Sequence, residues 1–209
     1  MPSSKISFKN AIAQLHQTAV AQQASTSTLR LKALAEYCVQ ELAERGLPGA
    51  EVDASIPGAG RPKEWDVAWQ HDKKYRLAIS LKSILRNLGG TVPNRIDDMI
   101  GEVANAQMYS PEIVLGYVMV FDISQDSFSP KHGSTWADLL RSRLERLTGR
   151  RSPFWSTGMI EAFAFIEVDF SHGAKIITPE DHILRMFDTL VAQVQTRNPG
   201  IGMPEVPDG

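Results

Sequence analysis

Residues 58–107 read GAGRPKEWDVAWQHDKKYRLAISLKSILRNLGGTVPNRIDDMIGEVANAQ, and the spacing of apolar residues along this stretch sets the class of fold. From Trp65 to Trp69, and again from Tyr75 to Lys82, apolar residues alternate with others, which predicts two strands. The polar His71-Asp72-Lys73-Lys74 between them reads as a hairpin loop. In the second strand Tyr75, Leu77, Ile79 and Leu81 take one face, and Arg76, Ala78, Ser80 and Lys82 take the other. From Asn94 to Tyr109 the period becomes helical, with Ile96, Met99, Ile100 and Val103 inward and Pro111 just beyond the end.

Upstream, Leu31, Leu34, Ala35, Cys38 and Leu42 form one face of a helix over Leu31 to Arg45, stopped by Gly46 and Pro48. Downstream, Ile113 to Phe121 (IVLGYVMVF) is continuously apolar, the pattern of a central strand covered on both faces. An amphipathic helix follows from Ser134 to Thr148 through Trp136, Leu139, Leu140, Leu144 and Leu147, then a strand from Ile160 to Val168. A last helix opens at Thr178-Pro179-Glu180-Asp181, read as an N-cap with proline in the first turn, and runs to about Thr196. This order predicts an α/β domain with a mixed central β-sheet flanked by helices. A chain of 209 residues supports one sizeable core, so a single domain is expected over residues 1–197. The Gly/Pro-rich tail of residues 198–209 is expected to be poorly ordered.

The composition is that of an ordinary globular protein, with 43% hydrophobic residues, 22% charged residues and a net charge of -2. That balance counts against a histone-like polycation but leaves nucleic acid open, because phosphate attraction depends on where cations cluster. The lone Cys38 allows no internal disulfide and no multi-cysteine metal site, which suits a reducing cytoplasm. His16, His71, His132, His172 and His182 lack metal-ligand spacing. Gly58-Ala59-Gly60 precedes a strand instead of joining a strand to a helix, so no nucleotide cofactor is expected. Without a run of roughly 18 apolar residues, neither secretion nor membrane insertion is expected.

The chemistry concentrates in one place: Asp66 on the first strand, Ser80-Leu81-Lys82 at the end of the second, then a basic Gly-rich loop and an acidic helix start. Phosphodiester hydrolysis needs a cation to neutralise developing charge, carboxylates to hold it and a positioned water. Alternation puts Ser80 and Lys82 on one side of the sheet, where the ammonium can reach a scissile phosphate or its attacking water. Mg²⁺ keeps several waters and needs only one or two carboxylates, so a sparse ligand set is sufficient.

At these residues the sequence resembles the PD-(D/E)xK restriction-endonuclease-like superfamily, in which an aspartate and a (D/E)-x-K end a β-hairpin. Asp66 matches the first acid and Lys82 the lysine, while Ser80 stands where most members carry the second acid. A subset of type II restriction enzymes has S-x-K and recovers the carboxylate from the following helix, after an N-R-x-(E/D)-like sequence. Here that sequence is Asn94-Arg95-Ile96-Asp97, with an aspartate where the subset usually carries glutamate. The resemblance covers about a quarter of the chain, and its force lies in the combined strand, hairpin and helix context.

The resemblance implies that Asp66 and Asp97 ligate Mg²⁺, with Mn²⁺ as a substitute, and that the backbone carbonyl of Leu81 adds a third ligand. Lys82 then orients or activates water, and Ser80 is a neutral spacer or hydrogen-bond donor. On a helical wheel Asp97 flanks a face set by Ile96, Ile100 and Ala104, whereas Asp98 points to the opposite side. Glu102 flanks the other edge and is the reserve acid. On the first helix the wheel favours Glu41, next to Leu34, over Glu36 and Glu44 as the acid that the superfamily often sends into its site.

Nucleic-acid contacts are expected from Arg61 and Lys63, and from Arg86, Asn87, Asn94 and Arg95 around the Gly-Gly pair. The run Arg141, Arg143, Arg146, Arg150 and Arg151 adds a basic helix end, with Arg150 and Arg151 as the expected contacts. Each feature also has a plain structural reading. Asp66 would be a turn or cap, Lys82 a solvated strand end, Asp97 a favourable charge in a first helical turn, and Glu41 a structural acid. The arginines would suit a helix C-terminus, and the Gly-Gly segment an ordinary loop. Trp65 and Trp69 are expected together on the core face opposite Asp66.

The resulting expectation is a Mg²⁺-dependent endonuclease of the type II restriction kind acting on double-stranded DNA, as a homodimer because cutting two strands is simplest with two symmetric sites. RNA and branched DNA stay open as substrates. The first alternative is a catalytically silent nuclease fold that binds nucleic acid or a protein partner. The second is a Lys- or Cys38-based enzyme acting on a small molecule, disfavoured because Cys38 falls on an apolar helical face.

Overall fold

In the computed structural model, which describes residues 5–22, 28–199 and 201, β-rich hairpin and parallel crossover units combine into one sheet. The elements, in chain order, are α1 (Phe8–His16), a π-helical turn (Gln17–Ala21), a 3-10 turn (Thr28–Leu31), α2 (Lys32–Glu44), β1 (Glu51–Ile56), β2 (Lys63–His71), β3 (Lys74–Ile84) and α3 (Leu88–Tyr109). They continue with β4 (Val114–Asp122), a small hairpin of β5 (Phe128–Ser129) and β6 (Ser134–Thr135), α4 (Trp136–Arg146), β7 (Ala162–Asp169), β8 (Lys175–Ile176) and α5 (Asp181–Arg197). The six-stranded sheet has the order β1-β2-β3-β4-β7-β8. Its β3-β4-β7 centre is parallel, and antiparallel partners lie on both sides. The fold is therefore mixed α/β, as the alternation of periods predicts.

Helices cover both faces of this sheet. Leu77, Ile79 and Leu81 of β3 pack with Val118 and Val120 of β4 against α1, α2 and α5, in a cluster that includes Leu15, Leu34, Phe187 and Leu190. Ala78 and Ile84 pack with Tyr117, Met119 and Phe121 against α3 and α4 through Val92, Met99, Val103 and Leu140. All nine residues of β4 are buried, as its unbroken apolar sequence predicts. Gly116 of this strand has a physical reason to lack a side chain: a Cβ there would lie 2.6 Å from Leu190 Cδ1. Among the described residues no helix is long and apolar enough to cross a membrane.

The β2–β3 hairpin forms as expected, with His71 paired to Lys74 and both Asp72 and Lys73 at positive φ. Two details differ. The register shifts so that Trp69 pairs with Leu77 but Gln70 with Tyr75, leaving Arg76 bulged. Tyr75 consequently packs on the α3 side, away from Leu77. Trp65 also packs on the α3 side, while Trp69 lies on the α2 side, so the two tryptophans do not share a face.

Helix α3 begins at Leu88, six residues before the expected Asn94, and contains Pro93. Burial of Leu88 and Val92 outweighs the loop-forming tendency of Gly89-Gly90 and the hydrogen bond that Pro93 cannot donate. Asn87, at φ 53, makes the turn into it. Thr178 does not cap α5. Its hydroxyl accepts from the Glu167 N–H (2.9 Å) and donates to the Phe165 carbonyl (3.3 Å), tying the segment to β7. At the expected disordered tail, Asn198 caps the last turn through the Val194 carbonyl and Ile201 is buried; residues 200 and 202–209 lie outside the described residues.

Arg150, expected to contact DNA, is buried instead. Its guanidinium pairs with Glu161 (3.2 Å) and donates to the carbonyls of Pro111, Ile113 and Ser156. Arg197 reaches the same Glu161 oxygen (2.6 Å), the other oxygen accepts the Leu115 N–H (2.6 Å), and both guanidiniums lie over Trp155. This network closes the end of the sheet at which β4 and β7 begin. Removing Glu161 would strand two buried guanidiniums, so Glu161→Ala is expected to cost about 3–5 kcal/mol in urea unfolding. A loss under about 1 kcal/mol would show that the arginines reach solvent in the variant.

Candidate active site

The site begins where β2 and β3 come apart. Their backbone pairing runs from the turn to Val67↔Ile79 and stops, although β1 still pairs with β2 at Trp65. At the missing rung the Leu81 N–H donates to Asp66 Oδ2 (2.7 Å), and the Ser80 hydroxyl donates to the same oxygen (3.3 Å). A side-chain carboxylate thus replaces a main-chain carbonyl, and a charge accepting two hydrogen bonds is firmly oriented. In extended backbone the N–H and C=O of one residue leave on the same side, so the Leu81 carbonyl also turns toward Asp66.

Lys82, one residue on, presents its ammonium to two acids. Nζ lies 3.8 Å from Asp66 Oδ2 and 3.9 Å from Glu102 Oε2. Glu102 comes from α3, where Val92, Met99, Val103 and Ala106 define the buried face. At about 100° per residue Glu102 lies at the edge of that face and Asp97 roughly opposite it. Asp97 and Asp98 are exposed, and Asp98 pairs with Arg95 (3.1 Å). The acid that reaches the site is the reserve candidate, not Asp97. Ile100, 37% exposed, does not belong to the core-facing stripe, and counting it inward rotates the wheel toward Asp97.

Glu102 has two further partners. The Tyr117 hydroxyl donates to Oε2 (3.4 Å), and Lys63, at the start of β2, pairs with Oε1. Burial, then the charge of Glu102, holds the Tyr117 hydroxyl well above its ordinary pKa, so it stays a proton donor. Carboxylates and ammoniums alternate in the order Lys63, Glu102, Lys82, Asp66. Beside Asp66, a cleft of about 40 Å³ opens between the 3-10 turn and β1, lined by Leu29, Leu31, Lys32, Ala35, Val52 and Asp53.

Among the described residues no group of three or more His, Cys, Asp and Glu side chains is arranged to hold a metal. Asp66 and Glu102, with the Leu81 carbonyl between strands, are nevertheless hard oxygen donors of the kind Mg²⁺ accepts alongside water. Glu41 is buried but belongs elsewhere, paired with Arg45 (2.6 Å), which also holds Asp188. It acts as a structural acid between α2 and α5. Cys38 is buried, and burial with the charges of Asp66 and Glu41 pushes its thiol well above the ordinary range.

The expected nucleic-acid contacts divide. Arg61, Arg86, Asn87, Asn94 and Arg151 are exposed, Arg95 is half-buried, Lys63 is taken by Glu102, and Arg150 is buried. Arg141 pairs with Glu167 over the Phe165 ring. Three residues that sequence reasoning missed stand out: Arg30, Asn105 and the Tyr117 described above. Arg30, half-buried on the 3-10 turn, donates from Nε to Ser83 (3.1 Å). Asn105 clasps the segment before β2, its carbonyl and side chain binding the backbone of Ala59 (3.0 Å), Gly60 (2.8 Å) and Arg61 (2.9 Å). A Cβ on Gly58 would lie 2.0 Å from Asn105 Nδ2. Tyr117 could have been found from sequence, since a buried tyrosine within an apolar strand needs a partner for its hydroxyl. Arg30 carries no such signal.

Comparison with family models, curated proteins and solved structures gives no match. The buried state of Cys38 has a direct check: in native buffer a thiol reagent is expected to leave it unmodified, and to react fully once denaturant unfolds the chain. Rapid modification of the native protein would place the thiol at the surface.

Proposed function

We propose that this chain is a Mg²⁺-dependent deoxyribonuclease with a restriction-endonuclease-like fold, of the S-x-K type, in which Glu102 supplies the second acid. The observation that carries this reading is the placement of Asp66 and Glu102 within 4 Å of one ammonium, that of Lys82, at the open end of a β-hairpin. An aspartate on one strand and a lysine two residues after Ser80 on the next match the sequence resemblance, while the acid from the following helix is Glu102 in place of the Asp97 that the resemblance implies.

In this reading Asp66 and Glu102 hold the ion, with the Leu81 carbonyl beside them. The ion supplies neutralisation of the charge that develops on the phosphoryl oxygens and makes a bound water more acidic. Asp66 keeps its orientation because Leu81 and Ser80 fix one of its oxygens. Lys82, held between the acids, donates to the attacking water or to a phosphate oxygen. Ser80 takes no charge of its own and serves as a hydrogen-bond donor to Asp66. Tyr117 steadies Glu102 from the sheet side.

A second reading draws on a specific observation. Both acids already have a lysine partner, so the charges balance without a metal, as in a silent nuclease fold that binds nucleic acid or a protein. Incubation with supercoiled plasmid separates the two. Wild type is expected to nick and linearise DNA with Mg²⁺ and to stop when the metal is chelated. Asp66→Ala, Glu102→Ala and Lys82→Ala are each expected to lower the rate at least about a hundredfold, since each removes several kcal/mol of charge stabilisation. Asp97→Ala, at an exposed position, is expected to stay within about threefold. Intact plasmid with wild type, together with DNA binding that survives chelation, would favour the silent binder. Loss of activity on replacing Asp97 but not Glu102 would overturn the assignment of the second acid.

A further inference from the structure

At the centre two negative charges, on Asp66 and Glu102, face two positive ones, on Lys63 and Lys82, and the two ammoniums are held differently. Lys82 Nζ stands 3.8 Å from Asp66 and 3.9 Å from Glu102, beyond hydrogen-bond length from either, with its side chain 20% exposed. Lys63 Nζ touches Glu102 Oε1 directly, and its side chain is 35% exposed. Among the described residues that contact is its one ion pair. Lys63 therefore has a single acid to leave and solvent to turn into, whereas Lys82 lies between two acids.

Helix α3 supplies both ends of the Lys63–Glu102 contact. Glu102 comes from it directly, and Asn105, one turn further on, binds the backbone of Ala59, Gly60 and Arg61 and so fixes the approach to Lys63. Glu102, with its side chain 9% exposed, is too enclosed to stay charged cheaply without a cation beside it. Asp66 Oδ2 and both oxygens of Glu102 already accept a donor or an ammonium, Oε2 from the Tyr117 hydroxyl (3.4 Å) and Oε1 from Lys63. A dication that takes Glu102 as a ligand would meet the Lys63 ammonium on the same carboxylate, and like charges at that range in a half-buried setting repel strongly.

We propose that Lys63 is a tethered stand-in for the metal: it neutralises Glu102 in the resting protein and must swing into solvent before a divalent ion can use that carboxylate. Metal affinity is then set by Lys63 as well as by the acids. This role rests on the reading of Asp66 and Glu102 as metal ligands, and it adds the control of that same site. With both lysines in place, a bound Mg²⁺ leaves the centre with two positive charges in excess; with Lys63 withdrawn, the excess is one.

Binding of Mn²⁺ to the full chain, followed by the electron spin resonance signal of the free ion, tests this without any reaction. Lys63→Met is expected to bind Mn²⁺ at least about tenfold more tightly than wild type, because a neighbouring like charge is gone. Lys63→Arg keeps the charge and is expected to stay within about threefold of wild type. Lys74→Met removes the same charge from an exposed position about 26 Å along β3 from Lys82, and is expected to change the affinity by no more than about twofold. The gain is expected to disappear in the Lys63→Met/Glu102→Gln double variant, since it acts through that carboxylate. In thermal unfolding, Mn²⁺ is expected to raise the Tm of Lys63→Met more than that of wild type at the same concentration. Should Lys63→Met fail to fold, Lys63→Gln keeps a donor for Glu102 without the charge and carries the same expectation.

Mn²⁺ binding that is no tighter in Lys63→Met than in wild type, or that tightens equally in Lys63→Arg or Lys74→Met, overturns the role of Lys63. So does a gain that survives replacement of Glu102. If any of these results comes with plasmid cleavage by wild type, the nuclease reading stands and the stand-in falls. If Lys63→Met gains Mn²⁺ affinity through Glu102 while wild type leaves plasmid intact with Mg²⁺, the stand-in stands and the nuclease reading falls.

Discussion

One carboxylate oxygen holds the centre of this molecule in shape. Asp66 Oδ2 takes the Leu81 N–H that would otherwise face a strand, and with it the Ser80 hydroxyl. Because the acceptor is a side chain and not the main chain, β2 and β3 can part after Val67↔Ile79 without leaving a buried donor unpaired. The parting has consequences on both faces. Trp65 leaves the side occupied by Val67 and Trp69 and joins the cluster under α3, and Lys82 finds room to point between two acids.

The surrounding charges follow from where each element starts. Lys63 stands at the first position of β2, Lys82 near the end of β3, and Glu102 in the second half of α3. Oppositely charged groups from a strand start, a strand end and a helix meet only because the sheet is antiparallel at β2–β3 and parallel at β3–β4. The parallel crossover places α3 over the same strands whose hairpin holds Asp66. At the other end of the sheet Arg150, Glu161 and Arg197 perform a different task with the same groups, since there the charges are buried and mutually satisfied.

Much of this was legible in the sequence. Alternation gave away the hairpin, its turn and both strands, and the unbroken Ile113 to Phe121 run marked the central strand. The association of Asp66, Ser80 and Lys82 followed from placing them on neighbouring strands. What escaped did so for identifiable reasons. The orientation of α3 was misread because Ile100 looks like a core residue and is not, so that Asp97 seemed to border the buried face. The first turns of α3 were hidden behind Gly89, Gly90 and Pro93, whose local preferences lose to the burial of Leu88 and Val92. Arg150 reads like its neighbours Arg146 and Arg151, and only its contacts in the fold with Glu161, Pro111 and Ile113 make it structural. Strand β1 and helix α1, neither of which was foreseen, have short patterns, and their partners are set by tertiary contacts.

The clasp by Asn105 bears on how the centre can move. Since one residue of α3 grips the backbone of Ala59, Gly60 and Arg61, any slide or roll of that helix must drag the entry of β2 with it. Glu102 and its partner Lys63 are thereby yoked to a single rigid piece, while Ser80, Lys82 and the Leu81 amide ride on the β-ribbon. Widening the gap for a bulky polyanion would then separate helix-borne from ribbon-borne groups, and the stretch of β2 between Lys63 and Asp66 is the seam along which that strain would collect.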